Sequence, residues 1–320
     1  MSQARRQWRS VRDSHGRTWY HPSVADLISA DGSTTDPEQV IRRRARQLTQ
    51  QALEMGWSGP PYDVGVIASL AGLRLKEARP LPDHQSALLF GTAVFTNANQ
   101  AEVRQRYSVG HEVTHTFFSD RNNSPQFSRT DYRDPDGEVE YLCQVGAAEI
   151  VMPHSCFRSK IASLPFELKT AFELADLYRV SPEAALRRLV DFADGAAAAV
   201  VLALGFRKSE RPPEQPTLLG LEDAVQAPHP KLRIARRPHI SAPLKARRIF
   251  FPQNKSVPDS SICYTALDER RAGRAGIHTA METWEITGLG ECRVEAVAWL
   301  ERDGFPAGGM CLLQQQKSSE

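Results

Sequence analysis

Residues 104–115, Arg104-Gln105-Arg106-Tyr107-Ser108-Val109-Gly110-His111-Glu112-Val113-Thr114-His115, decide how this chain is read. The last five form the pattern H-E-x-x-H. On a helix, side chains four apart share a face, so His111 and His115 can present two imidazoles to one metal ion. Glu112, next to the first histidine, is placed to reach a water rather than the ion. Val109 and Val113 form an apolar stripe, and Gly110 and Thr114 are small enough for close packing. The pattern arises by chance in a chain this long on the order of one time in a hundred. The bland alternative is a pair of core histidines satisfied by hydrogen bonds.

A catalytic metal centre needs a third protein donor and an open position. The next helical stretch, Glu138–Met152, offers one. Cys143, Ala147 and Ile150 share an inward face, and Glu140, three residues before Cys143, extends it. Glu140 is the preferred third ligand. Asp136 and Glu138 are weaker competitors, Glu138 falling beside Leu142. Two imidazoles and a carboxylate suit one divalent ion, Zn2+ first, with Mn2+ or Fe2+ as alternatives. Glu112 then serves as general base, taking a proton from water and returning it to the leaving amine. Tyr107, Tyr141 and His154 are candidate oxyanion helpers.

Working outward, Thr35-Asp36-Pro37-Glu38 reads as a helix start, with Val40, Ile41, Ala45, Leu48, Ala52 and Leu53 at helical spacing up to Gly56. Arg42-Arg43-Arg44 reads as a solvated face of that helix, the alternative being a contact for an acidic partner. Residues 64–70 form a short helix. Leu73–Leu75, Ala87–Phe90 and Ala93–Thr96 are short strands of a small antiparallel sheet. Residues 165–192 have a helix-turn-helix pattern around Val180-Ser181-Pro182, read either as a structural pair or as a DNA-binding one. Residues 207–218 are charged and Pro-rich, a linker. Beyond it, Ile249–Phe251, Ile262–Tyr264, Trp284–Ile286, Val294–Trp299 and Gly309–Leu313 are strand-like. The divisions expected are a tail at 1–35, a metal-binding domain at 36–160, a helical segment at 161–206, the linker, and a β-rich domain at 219–320.

Two stretches together resemble the ImmA/IrrE metallopeptidases of bacteria: residues 104–115 above, and Glu140-Tyr141-Leu142-Cys143-Gln144-Val145-Gly146-Ala147-Ala148-Glu149-Ile150-Val151-Met152-Pro153. Gln144 stands where that family has Asn, and Val-Met-Pro replaces Leu-Met-Pro. Asn97 is similar to a family asparagine. The resemblance covers about residues 36–190, and the C-terminal part resembles GAF-like extensions of some members. It implies an α+β fold, with a mainly helical zincin-like core, a small antiparallel sheet, a helix-turn-helix-like segment and a β-rich C-terminal domain. It further implies a zinc-type endopeptidase that cleaves a helix-turn-helix repressor in a stress or mobile-element response. The rival reading is a DNA-binding or sensory regulator whose metal site is structural or inactive.

Composition frames both readings. The chain has 320 residues, 41% hydrophobic and 24% charged, with 40 Lys+Arg against 38 Asp+Glu. That length allows about two domains. The near-neutral balance gives no global case for nucleic acid or membrane, although residues 231–250 carry seven Lys/Arg and no Asp/Glu. The five cysteines (143, 156, 263, 292, 311) are scattered without a C-x-x-C pair, which reads as reduced thiols in the cytoplasm. The N-terminus lacks the apolar run of a signal peptide, and the longest apolar run, Ala196–Leu204, falls far short of the ~20 residues that span a bilayer. No membrane association is expected.

Overall fold

The computed structural model describes residues 10–118 (except 15 and 83–84), 137–206, 229–301 (except 237, 248, 250, 252–254, 285 and 287–288) and 307–315. The 207–218 linker lies outside the described residues. The chain divides into two compact units: Met1–Leu164 with Glu173–Ala185, and Pro165–Phe172 with Leu186–Glu320. The fold is α+β, helical in the first unit and β-rich in the second.

The first unit opens with a hairpin, β1 (Val11–Arg12) and β2 (Thr18–Trp19), and helix α1 (Pro22–Asp31). The stretch expected as a partly ordered tail at 1–35 thus carries ordered elements from Val11 to Asp31. Trp19, Val24 and Leu27 are almost wholly buried. His21 caps α1, its ring nitrogen accepting from the Ser23 N–H. Helix α2 (Pro37–Glu54) starts where the sequence signals it: the Asp36 carboxylate accepts from the Glu38 N–H, and Pro37 fills the first turn. Its stripe of Val40, Ile41, Ala45, Thr49 and Ala52 is buried. The arginine triplet is not a free face. Arg42 reaches Glu149 at 3.4 Å, Arg43 pairs with Asp31, and Arg44 donates to the Phe117 carbonyl.

Helix α3 (Val64–Leu70) leads into strands β3 (Arg74–Leu75), β4 (Ala87–Phe90) and β5 (Ala93–Thr96). β4 and β5 are antiparallel, while β3 adds to β5 in parallel, so this sheet is mixed rather than antiparallel throughout. Then come α4 (Glu102–His115), α5 (Glu138–Val151) and α6 (His154–Ile161). The helical pair follows as α7 (Leu168–Tyr178) and α8 (Pro182–Asp191), turned at Arg179, whose φ is 49°.

The second unit is built on strand β6 (Ala197–Gly205), which lies in the segment read from sequence as helical. It is followed by β7 (Lys231–Ile234), β8 (His239–Ile240), α9 (Ala242–Ala246), α10 (Ile262–Arg271), β9 (His278–Thr283), β10 (Glu291–Trp299) and β11 (Gly308–Gln315). The antiparallel order is β7-β6-β11-β10-β9, with β8 also on β6. Alternate residues Ala198, Val200 and Leu202 of β6, Cys292, Val294 and Ala296 of β10, and Cys311 and Leu313 of β11 face one core. Cys263, Ala266 and Leu267 of α10 lie in that core. Residues 262–264 are thus helix rather than strand; Ser261 caps them by accepting from the Cys263 N–H. Residues 249, 251, 284 and 286 lie outside the strands, although Ile249, Phe251, Trp284 and Ile286 join the core.

Candidate metal centre

Helices α4 and α5 come together because their facing residues are small. A Cβ on Gly146 would run into the Thr114 side chain, and one on Gly110 would stand 3.3 Å from the Ala147 Cα. Thr114 turns its hydroxyl inward, donating to the Gly110 carbonyl at 2.9 Å. Neither glycine is needed for an unusual backbone; each is needed for proximity. The buried stripe of α4 runs from Ser108 to Thr114 and so includes His111 and Glu112, 5% and 6% exposed.

The packed pair brings three of the expected residues to one point. His111 Nε2 and His115 Nε2 are 3.2 Å apart. Glu140 places Oε2 3.2 Å from His111 Nε2 and Oε1 3.5 Å from His115 Nε2. Ligands held at 2.0–2.1 Å around a tetrahedral cation are separated by roughly 3.3 Å. The two imidazole nitrogens stand at the edge length of such a coordination shell, and Glu140 turns a different oxygen to each of them at a similar distance. Cys143, read from sequence only as part of the packing face, lies beside these groups. Its Sγ and the ligand nitrogens of His111 and His115 lie within 4.8 Å of one another. The signal was present in the spacing, since Cys143 is one turn beyond Glu140.

Charge in the site is unbalanced. Burial works against a charged His115, yet Cys143, Glu140 and Glu112 outweigh it and hold the imidazole well above its ordinary value. Burial also opposes ionisation of Glu140, but hydrogen bonds from His111 and His115 bring its carboxyl below the usual range. Burial pushes the Cys143 thiol up. Two carboxylates beside two imidazoles in a mostly buried space favour an added positive charge. A divalent cation fits both the distances and this imbalance.

The remaining candidates are placed differently. Glu138, a weaker competitor, is a structural anchor: it is 3% exposed and accepts from the backbone N–H of Tyr20 and of His21, each at 2.9 Å. Asp136 lies outside the described residues. Tyr107, one turn before His111, donates its hydroxyl to the Gln144 carbonyl at 2.8 Å and so stays between α4 and α5. Tyr141 is committed elsewhere. Its hydroxyl donates to Glu38 at 2.7 Å, and Arg17 lies over its ring and that of Trp19. Burial and the Glu38 charge push its pKa far up. His154 opens α6, beyond Pro153. Asn97 is a loop clasp, fully buried, accepting from the Leu81 N–H and donating to the Gln85 carbonyl.

Two helices carrying a His-x-x-x-His pair and a facing carboxylate define a metal-hydrolase type of centre. Residues 69–190 match the IrrE N-terminal-like domain of the M78 peptidases, so this part of the chain is similar to that family. The match contains both α4 and α5. Among solved structures, the chain is similar to a Mycobacterium tuberculosis transcriptional regulator, with a TM-score of 0.54 and 11% identity, over 91% of this chain and 79% of that one. That likeness is one of fold. No curated protein matches the chain in sequence. Among the described residues, no helix is long and apolar enough to cross a membrane.

Proposed function

We propose that this chain is a metal-dependent endopeptidase. The observation that carries the proposal is the convergence of His111, His115 and Glu140 at donor separations of 3.2, 3.2 and 3.5 Å. These three residues would hold one divalent ion, Zn2+ before Mn2+ or Fe2+ for two nitrogens and a carboxylate. Such an ion supplies Lewis acidity, polarising a peptide carbonyl and making water easier to deprotonate. Glu112, buried in the same stripe, accepts the proton of the attacking water and delivers it to the departing amine nitrogen. Tyr107 lies one turn from His111 on the same helix, but to steady a developing oxyanion its hydroxyl would first have to leave the Gln144 carbonyl.

The substrate class we propose rests on the family resemblance rather than on the site: a protein, of the helix-turn-helix repressor kind, cut at one place in a stress or mobile-element response. The free state of all five cysteines supports a cytoplasmic setting. The test is metal analysis with Glu112→Gln. The variant should keep its metal and lose hydrolysis of the repressor encoded nearest its own gene. Full cleavage by the metal-loaded variant would refute the role of Glu112.

A second reading, a sensory or DNA-binding regulator with a structural metal, draws on the fold likeness to a transcriptional regulator. Its sequence support is weakened. Arg188 of α8 is 1% exposed and pairs with Asp191. In the basic 231–250 stretch, Arg233 is buried, Lys231 pairs with Asp259, and Arg247 binds Gln315. Steeply salt-dependent binding to duplex DNA would restore this reading.

A further inference from the structure

We infer that Cys143 is a fourth protein donor to the metal, so that the resting centre is a closed His-His-Glu-Cys site. The inference rests on the proposed metal centre and deepens it. Three observations carry it. First, the Cys143 sulfur and the donor nitrogens of His111 and His115 lie within 4.8 Å of one another. Second, Cys143 is fully buried on the face of α5 that also carries Glu140 one turn earlier, so the helix itself aims both at α4. Third, Cys143 sits at the edge of an apolar cluster, as the buried cysteines of the second unit do, but its thiol also meets the His115 imidazole.

The coordination chemistry is specific. Thiolate is a strong donor to zinc, at about 2.3 Å, and combines with imidazole in many four-ligand sites. Four protein donors make a closed structural shell, whereas hydrolysis needs one position free for water. When the sulfur binds, the Cys143 S–H proton leaves to solvent as the sulfur–metal bond forms; no electrons are transferred. Opening the centre reverses that step or releases Glu140. Of the two, Glu140 is the freer to move, its side chain being 41% exposed against a wholly buried Cys143. Cys143 therefore makes the centre latent, and an incoming peptide segment must displace one donor before it is cut.

The experiment is cobalt substitution of the full-length protein, read by absorption and by metal affinity. A thiolate-to-cobalt charge-transfer band should appear in the near ultraviolet for the wild type and vanish in Cys143→Ala. The variant should keep the weaker visible bands of cobalt held by the remaining donors, and should bind metal roughly tenfold or more weakly, the scale on which lost coordination support is felt. It should also cleave faster at saturating metal. If Cys143→Ala does not fold, Cys143→Ser preserves the volume and removes the soft donor. Cobalt bound by the wild type without the band would overturn the inference and leave the peptidase reading standing. No metal bound by the wild type would overturn both.

Discussion

The two units bury the same residue type to opposite ends. In the first, Cys143 shares its space with His111, His115, Glu112 and Glu140, and α5 carries two further buried carboxylates, Glu138 and Glu149. In the second, Cys292 and Cys311 on the sheet and Cys263 on α10 sit among Val, Leu and Ile in one core. The helical unit accepts the cost of buried charge and gives each charge a partner. The sheet unit also buries charge, at Arg188, Arg233 and Glu295, but without a cluster of imidazoles, and its core is mainly apolar area.

The most severe test of that contrast is His115→Ala. Metal content should fall by more than the ~100-fold typical of losing a supporting contact, and hydrolysis should vanish with it; unchanged metal content by elemental analysis would dismantle the ligand set. Next, Glu112→Gln should lower turnover by ~100-fold or more with metal retained, the scale of a lost general base. Glu149 tests the structural carboxylates. It is wholly buried and takes Arg46 at 3.0 Å and Arg42 at 3.4 Å. Glu149→Ala should cost ~1–3 kcal/mol in denaturant unfolding, by removing the partner of two partly exposed arginines, without changing the metal spectrum; a changed spectrum would show that anchor and site are not separate. Glu138→Ala should cost ~1–3 kcal/mol for the backbone donors of Tyr20 and His21 it leaves unmet, again with metal unchanged.

The smallest effect belongs to the sheet. Burial, and then the neighbouring Glu291, raise the Cys292 pKa from 9.0 to about 11. A raised folded pKa means the stabilising difference is intact below the unfolded value and is lost as pH climbs through the folded one. Between about 9 and about 11 the wild type should lose stability that Cys292→Ala does not lose. Parallel unfolding curves for the two proteins across that window would show that Cys292 ionises without penalty.

What could be read in advance was local. The His111–His115 pair and the turn from Glu140 to Cys143 are set by helical spacing, so the candidate face on which these groups meet was legible from adjacent residues. The cap at Asp36 was legible for the same reason. Glu138 was not, because the backbone it binds lies 118 residues away at Tyr20. Nor was the ordered start of the chain, where Trp19 is held by Asp13 at 2.8 Å and buried by partners distant in sequence. The arginine triplet looked solvated because Asp31, Glu149 and the Phe117 carbonyl cannot be aligned with it without the fold. Ile262–Tyr264 looked like a strand because Ile, Cys and Tyr suit one; the deciding cue was Ser261 as a cap, which outweighed side-chain preference.

The glycine contact between α4 and α5 has one more consequence. With Gly110 against the Ala147 main chain and Gly146 against the Thr114 side chain, the gap between the helices is set by close contact, and the metal site inherits that gap as a gauge. Side chains can rotate to suit many ions, but a seam of this kind sets one jaw width. Gly146→Ala would wedge the jaws apart at Thr114. The expected outcome is a shift of preference from zinc toward larger divalent ions such as manganese, read as a change in the ratio of their affinities. The smallest side chains in the pair would then be the ones that choose the metal.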